Sequence, residues 1–296
     1  MRAARFASFG GPEVLTVDDV PVPVPGPGEV RISVRAAAIQ PFDRRVRTGN
    51  IPLPPGMTLP ITTGNEFAGV VDAVGTDVSG FSPGDEVAGR RAFGAVAEYV
   101  VAPAGDIAIK PADLSFAQAA TLSGTAQTAD TAIESLEIGP DDTLLILGAS
   151  GGVGSFATQL AIIAGARVIG TGSADNQDYL RSLGAEPMLS DADLSTARPT
   201  AILDCVGGAV LDRALALGVQ TSRIATLGDM SRVKELGLRP IEGARNGQRL
   251  ARLLTLAAEG RLVATVRQIY PIDRIVEAHR DLDTGHGRGK IVIALD

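Results

Sequence analysis

A glycine-rich turn and a few amide and hydroxyl side chains hold the chemistry available to this chain of 296 residues. The turn, Gly148-Ala149-Ser150-Gly151-Gly152-Val153-Gly154, follows an apolar run of strand length, Thr143–Leu147. It leads into a helical pattern with apolar residues at Phe156, Leu160, Ile163 and Ala164. Free N–H groups at such a helix start, with the positive end of the helix dipole, suit a pyrophosphate. Gly151 lets the backbone approach it and Gly154 allows close helix–strand packing. Ala149 holds the place of the first glycine of the full fingerprint, with Gly148 one residue early. A second apolar run, Arg167–Gly170, follows Gly165 and completes a first βαβ unit. The expected ligand is a dinucleotide, bound along Ala149 to Gly154.

The end of the second strand selects between dinucleotides. An acidic side chain there would hold the ribose hydroxyls of NAD, whereas the chain reads Thr171-Gly172-Ser173. A 2′-phosphate fits that vacancy better, so Gly172, Ser173 and the nearby Asn176 are predicted to surround it, and NADPH is the expected cofactor. Asp175 argues for NAD if the turn curls back, and no Arg or Lys follows before Arg181.

Composition narrows the partners. With 27 Lys+Arg against 34 Asp+Glu, a net charge of −7 and no basic block, nucleic acid and anionic membranes are not expected partners. No apolar stretch suits a membrane span or a signal peptide, so the cytoplasm is the expected location. One cysteine, Cys205, and two histidines, His279 and His286, leave no material for a disulfide within the chain or a Cys-rich zinc site. Cys205 reads as a buried thiol, and the histidines as structural or surface residues.

Before the glycine turn, strands are predicted at Ala3–Phe9, Leu15–Val20, Val30–Ala36 and from Glu66 to Pro111, with a short helix after Pro41. An irregular loop over Ile51–Gly64 is expected to form a wall or lid of a cleft. Helices are predicted at Leu114–Ser123, with Ser115 as N-cap, and Ala126–Ile138, so the β part gives way to an α/β part near residue 115. Further strands at Ala201–Cys205 and Arg223–Leu227, with helices at Asn176–Leu183, Leu211–Leu217 and Gly247–Glu259, make a doubly wound parallel sheet. The end returns to strand–helix–strand, closing on GKIVIALD.

These residues resemble the medium-chain dehydrogenase/reductase superfamily and, within it, the zinc-independent, zeta-crystallin-like quinone oxidoreductases. The resemblance covers nearly the whole chain, through FASFGGPEVLTVDDVPVPVPGPGEVRISV, GNEFAGVVDAVG, GAVAEYVVAP, LLILGASGGVGSFATQLA, ILDCVGG and GHGRGKIVIAL. It implies a GroES-like β-barrel domain from both chain ends, 1–115 with 264–296, and a Rossmann NADP-binding domain over 116–263, with substrate and nicotinamide in the cleft between. It also implies a homodimer joined through the Rossmann sheet edge. Where the zinc-dependent branch carries Cys and His, this chain has Gln40 and Asn65, so no catalytic metal is expected. The first loop, Gln40-Pro41-Phe42-Asp43, departs from the family's Asn-Pro-x-x-Asp. Leu122–Thr128 is more polar than in relatives, which suggests a more polar substrate. If the family geometry holds, Thr128, Val206, Gly207, Leu227 and Gly228 face the nicotinamide half. Lys290 reaches the cofactor or is a solvated strand lysine.

Without a metal or an activated nucleophile, the chemistry left to bound NADPH is hydride transfer to a quinone or to the β-carbon of an enone. Gln40, Asn65, Arg90 and Arg91 are the candidate donors to the acceptor oxygen, and water supplies the proton. Tyr99 is a candidate acid, although EYVV reads as a strand in which the ring packs. Asp43 orients the loop or a substrate hydroxyl, or caps the following helix. The sequence thus predicts an NADPH-dependent quinone or enone oxidoreductase. Two alternatives stay open: an enoyl reductase tailoring a secondary-metabolite, polyketide-type intermediate, and a non-catalytic NADPH-binding sensor or structural protein.

Overall fold

Alternating burial shapes the first hundred residues into strands. In the computed structural model, which describes residues 1–285 and 287–295, β1 (Arg2–Phe6) and β2 (Leu15–Asp19) form a hairpin. The long β3 (Glu29–Ile39) alternates at its start and is almost wholly buried at its end. There Ala37 and Ile39 point into the barrel core while Ala36 and Ala38 pack against helices of the α/β part, so this strand end has no wet face. It delivers α1 (Pro41–Arg47) to the boundary between the two packing regions.

The segment predicted to be an irregular loop contains β4 (Ile61–Thr62), which pairs with β1, and its Ile51, Leu53, Met57 and Leu59 pack on the barrel core. β5 (Glu66–Val74), β6 (Glu86–Arg90), β7 (Tyr99–Pro103) and β8 (Ile107–Ile109) complete the N-terminal strands.

At residue 115 a capping box starts the next element: Gln118 N–H donates to Ser115 Oγ at 3.2 Å and Ser115 N–H to Gln118 Oε1 at 3.0 Å. The sequence predicts two helices here. Instead α2 (Phe116–Thr121) and α3 (Gln127–Ser135) are joined without a break by a π-helical turn, Leu122–Ala126.

The parallel sheet follows in the order β11 (Glu186–Leu189), β10 (Arg167–Gly172), β9 (Thr143–Leu147), β12 (Ala201–Asp204) and β13 (Ile224–Thr226). The apolar central strand, β9, is buried, and β11 escaped the sequence pattern because it is a half-exposed edge interrupted by Pro187. Helices α4 (Gly152–Ile163), α5 (Gln177–Ser182), α6 (Gly208–Leu215), the short α7 (Val233–Leu236) and α8 (Gly247–Ala258) complete this part. None of the described helices is long and apolar enough to cross a membrane.

The chain then re-enters the first sheet. β14 (Val266–Pro271), α9 (Ile275–Asp283) and β15 (Lys290–Ala294) give a seven-stranded sheet in which β14-β15-β3-β5-β6-β8 run in order and β7 also pairs with β3. His286 and Asp296, and with them the turn assignment of His286, lie outside the described residues.

Candidate active site

The glycine turn is held open from below. Gly148 adopts φ +76°, a left-handed conformation that favours glycine. Its N–H donates to Thr171 Oγ1 at 3.0 Å, and Ala149 N–H to Thr171 O at 2.9 Å. A Cβ on Gly154 would sit 2.3 Å from Gly148 O, so only glycine lets α4 approach the turn this closely. The N-cap, Gly151, supplies no capping side chain, and the first N–H groups of α4 have no partner within the helix. These are the features an anion needs, so a dinucleotide pyrophosphate fits the cradle.

Three strand ends meet beside it. Register places Ala38 of β3 opposite Glu66 of β5 and Ile39 opposite Ile291 of β15, which brings Gln40, Asn65, Glu66 and Lys290 to one level. The buried Glu66 carboxylate accepts from Thr125 Oγ1 at 2.7 Å and from Lys290 Nζ at 2.6 Å, and also from Thr125 N–H. The π turn supplies that last donor, and Gly124 is required within it, since a Cβ there would meet Glu66 Oε1 at 2.6 Å. Lys290 Nζ also donates to Thr125 Oγ1 at 2.7 Å, and its stem crosses Gly152 at the start of α4. Lys290 is therefore a buried lysine, not a solvated strand residue.

Gln40 and Asn65 carry this cluster toward the open side. Gln40 Nε2 donates to Asn65 Oδ1 at 2.6 Å, and Gln40 Oε1 lies 3.1 Å from Thr125 Oγ1. That leaves both N–H bonds of the half-buried Asn65 amide free to meet a ligand oxygen. Asp43 positions the pair. Its buried carboxylate accepts from the N–H groups of Gln40 at 2.9 Å and Gly64 at 3.0 Å, so it caps α1 and ties down the residue before Asn65. Burial pushes its pKa up to about 6, against these backbone bonds and the charge of Lys290.

At the far end of β10, Asn176 Nδ2 donates to Ser150 Oγ at 3.2 Å and Ser173 Oγ at 3.0 Å, lining the edge of Gly172. Sequence proximity offered no cation here before Arg181, but the fold brings one from the C-terminal loop. Arg288 donates from Nε to Asn176 Oδ1 at 3.0 Å and also to the Asp175 carbonyl, with its guanidinium 5.8 Å from the Tyr179 ring centre.

On the opposite wall, Asp204 is fully buried and accepts from the N–H groups of Val206 and Gly207 and from Thr226 Oγ1. It thereby fixes the loop whose Gly207 packs directly on Gly228, while Leu227 N–H reaches the Asp204 carbonyl. Thr128 lies one turn beyond Thr125 and accepts from Arg245 at 3.1 Å.

Other candidates fall elsewhere. Tyr99 pairs with Ser33, seven residues up β3 from Gln40, which is roughly 20 Å at strand rise, and its ring stacks on Arg31. Arg91 donates to Val101 O at 2.7 Å. Ser123 and Gln127 are buried and donate within their own helix, so the polar residues of that stretch serve the helix and Glu66 and do not by themselves make a polar pocket. Cys205 is half-buried and not the fully buried thiol expected; desolvation, reinforced by Asp204, pushes the thiol up to about 12, so it stays protonated at neutral pH. His279 is buried against Arg47, away from the cleft. Among the described residues no three His, Cys, Asp or Glu side chains group to hold a metal ion.

Known proteins share this architecture. Residues 26–112 match the alcohol dehydrogenase GroES-like domain and residues 183–293 the zinc-binding dehydrogenase domain. The chain is 30% identical to the chloroplastic NADPH-dependent alkenal/one oxidoreductase of Arabidopsis thaliana, over 99% of this chain and 79% of that protein. It is also 30% identical to the quinone oxidoreductase of Homo sapiens, over 100% of this chain and 98% of that protein. The solved quinone oxidoreductase of Coxiella burnetii superposes with a TM-score of 0.90 at 32% identity, over 100% of this chain and 99% of that one. The chain belongs to the medium-chain dehydrogenase/reductase superfamily, in its quinone oxidoreductase branch, and is an oxidoreductase using a nicotinamide cofactor.

Proposed function

We propose that this enzyme reduces quinones and α,β-unsaturated carbonyl compounds with NADPH. The observation that carries the proposal is the Gln40–Asn65 amide pair, with its free N–H bonds beside the phosphate-binding helix start. Held with its pyrophosphate on the Gly148–Gly154 turn and the start of α4, a nicotinamide cofactor would supply the hydride for the electrophilic carbon of the acceptor. The chain does the rest. Gln40 and Asn65 donate to the acceptor oxygen as negative charge develops on it, and water delivers the proton that completes the reduction. Asp43 keeps both amides in place, and Thr125, Glu66 and Lys290 fix the cluster against the start of α4.

Arg288 favours NADPH over NADH: beside Ser173 and Asn176 it offers a guanidinium to a 2′-phosphate, with no acid at the end of β10 to bind ribose hydroxyls. In this reading residues 1–115 with 264–296 form the substrate unit and 116–263 the cofactor unit. The active form is a cytoplasmic homodimer joined through an edge of the parallel sheet. The test is steady-state oxidation of NADPH and NADH with a small benzoquinone and a panel of alkenones. Turnover with NADPH supports the proposal, and cofactor binding without reduction of any acceptor refutes it.

A further inference from the structure

Two arginines at the cleft have no acidic partner among the described residues. Arg90 ends β6 directly opposite Glu66, which puts the two side chains on one face of the sheet, yet the Glu66 carboxylate is taken by Lys290 and Thr125. Arg91 N–H donates to the Asn65 carbonyl at 3.0 Å, so Arg90 stands next to the amide pair. From the other wall, Arg245, just before α8, donates to Thr128 Oγ1, one turn from Thr125. Two acids of that wall, Asp130 and Glu134, are held by Arg249 and Arg252. Desolvation and, after it, the charge of Arg90 lower the pKa of Arg245, in keeping with the placement that the strand register and the Thr128 bond give the two arginines. An apolar wall lies alongside: Phe42, two residues after Gln40, meets Phe93, three after Arg90, with ring centres 6.0 Å apart.

We infer that Arg90 and Arg245 form an anion-binding site at the rim of the substrate cleft, and that the preferred acceptor is an apolar enone or quinone bearing a carboxylate or phosphate group. This rests on the reductase reading above. An anion between the two guanidiniums removes their repulsion and gains charge-assisted hydrogen bonds, while the Phe42–Phe93 wall takes the hydrocarbon.

The test compares alkenones of graded length ending in a carboxylate with their methyl esters, and phosphate monoesters with the parent alcohols, by kcat/KM with NADPH. The acid is expected to exceed its ester by roughly tenfold to a hundredfold at low salt, from one or two charge-assisted bonds. Arg245→Gln and Arg90→Gln each bring the ratio toward one, and Arg245→Glu inverts it. Because the readout is a ratio, a general loss of activity divides out. Whether carboxylates or phosphates gain more identifies the anion. A ratio near one, unmoved by these substitutions while esters are reduced, overturns the inference and leaves the reductase reading intact. If no acceptor is reduced, that reading fails. The site is then judged by binding of the same carboxylate and ester to the enzyme with NADP+, where equal affinities overturn it.

Discussion

The ammonium of Lys290 lies 2.6 Å from the carboxylate of Glu66, a residue 224 positions earlier, and both side chains are buried. This pair locks the C-terminal strand to the first sheet directly beneath the start of the phosphate-binding helix. Removing one partner leaves a buried charge uncompensated. Glu66→Gln is therefore expected to lower stability by about 3–5 kcal/mol. Chemical denaturation checks this; a variant as stable as the parent would show that Lys290 finds another anion or water.

Arg288 reaches Asn176 across 112 residues of chain to stand at the end of β10. Arg288→Leu is expected to raise KM for NADPH by roughly tenfold to a hundredfold while leaving KM for NADH nearly unchanged, as loss of a phosphate-specific charge pair requires. Steady-state kinetics with both cofactors separate this from a general defect, which would raise both.

If the Asn65 amide meets the acceptor oxygen only as charge develops, its loss belongs in kcat. Asn65→Ala is expected to reduce kcat by about 10²–10³-fold with the dissociation constant for NADPH held within a factor of about two. Binding titration and turnover, measured on the same preparation, distinguish this from a collapsed cofactor site.

Burial, together with the charge of Arg47, depresses the pKa of His279 from 6.5 to about 3. The folded imidazole stays neutral, with Arg47 donating to Nδ1 and Nε2 lacking a buried partner. Below pH 6.5 the unfolded chain binds a proton that the folded chain refuses, so this contribution is full above that pH and is lost progressively toward pH 3. Asp43 acts in the opposite sense, because its raised pKa favours the folded state as pH falls from about 6 toward 3.8. His279→Gln keeps an oxygen for Arg47 and is expected to lose stability less steeply than the parent on acidification, by the share His279 supplies, while the depressed carboxyls of Asp142, Glu186, Asp193 and Glu277 keep theirs. Urea unfolding from neutral pH down to about pH 4 reads the sign directly.

Local pattern made much of this molecule legible. Thr143–Gly172 declared its strand, turn, helix and strand because backbone geometry and apolar period agree over a short span, and Ser115 declared its cap for the same reason. Gln40 and Asn65 stood out by residue type at positions the family resemblance marked. Thr125 and Glu66 carry no comparable local sign, because their meeting depends on a π turn, and neither Gly124 nor Thr125 announces one locally. Arg288 and Arg245 were equally hidden, since each acts on residues more than a hundred positions away. Tyr99 shows the converse: a suitable side chain whose strand register carries it away from the cluster.

The most direct test uses NADPH deuterated at the transferable C4 position of the nicotinamide, with an alkenone as acceptor and mass spectrometry of the product. Direct hydride transfer predicts one deuterium at the β-carbon and none at the α-carbon, which takes its proton from water. Product formed without deuterium, or deuterium lost to solvent, would contradict the proposed mechanism.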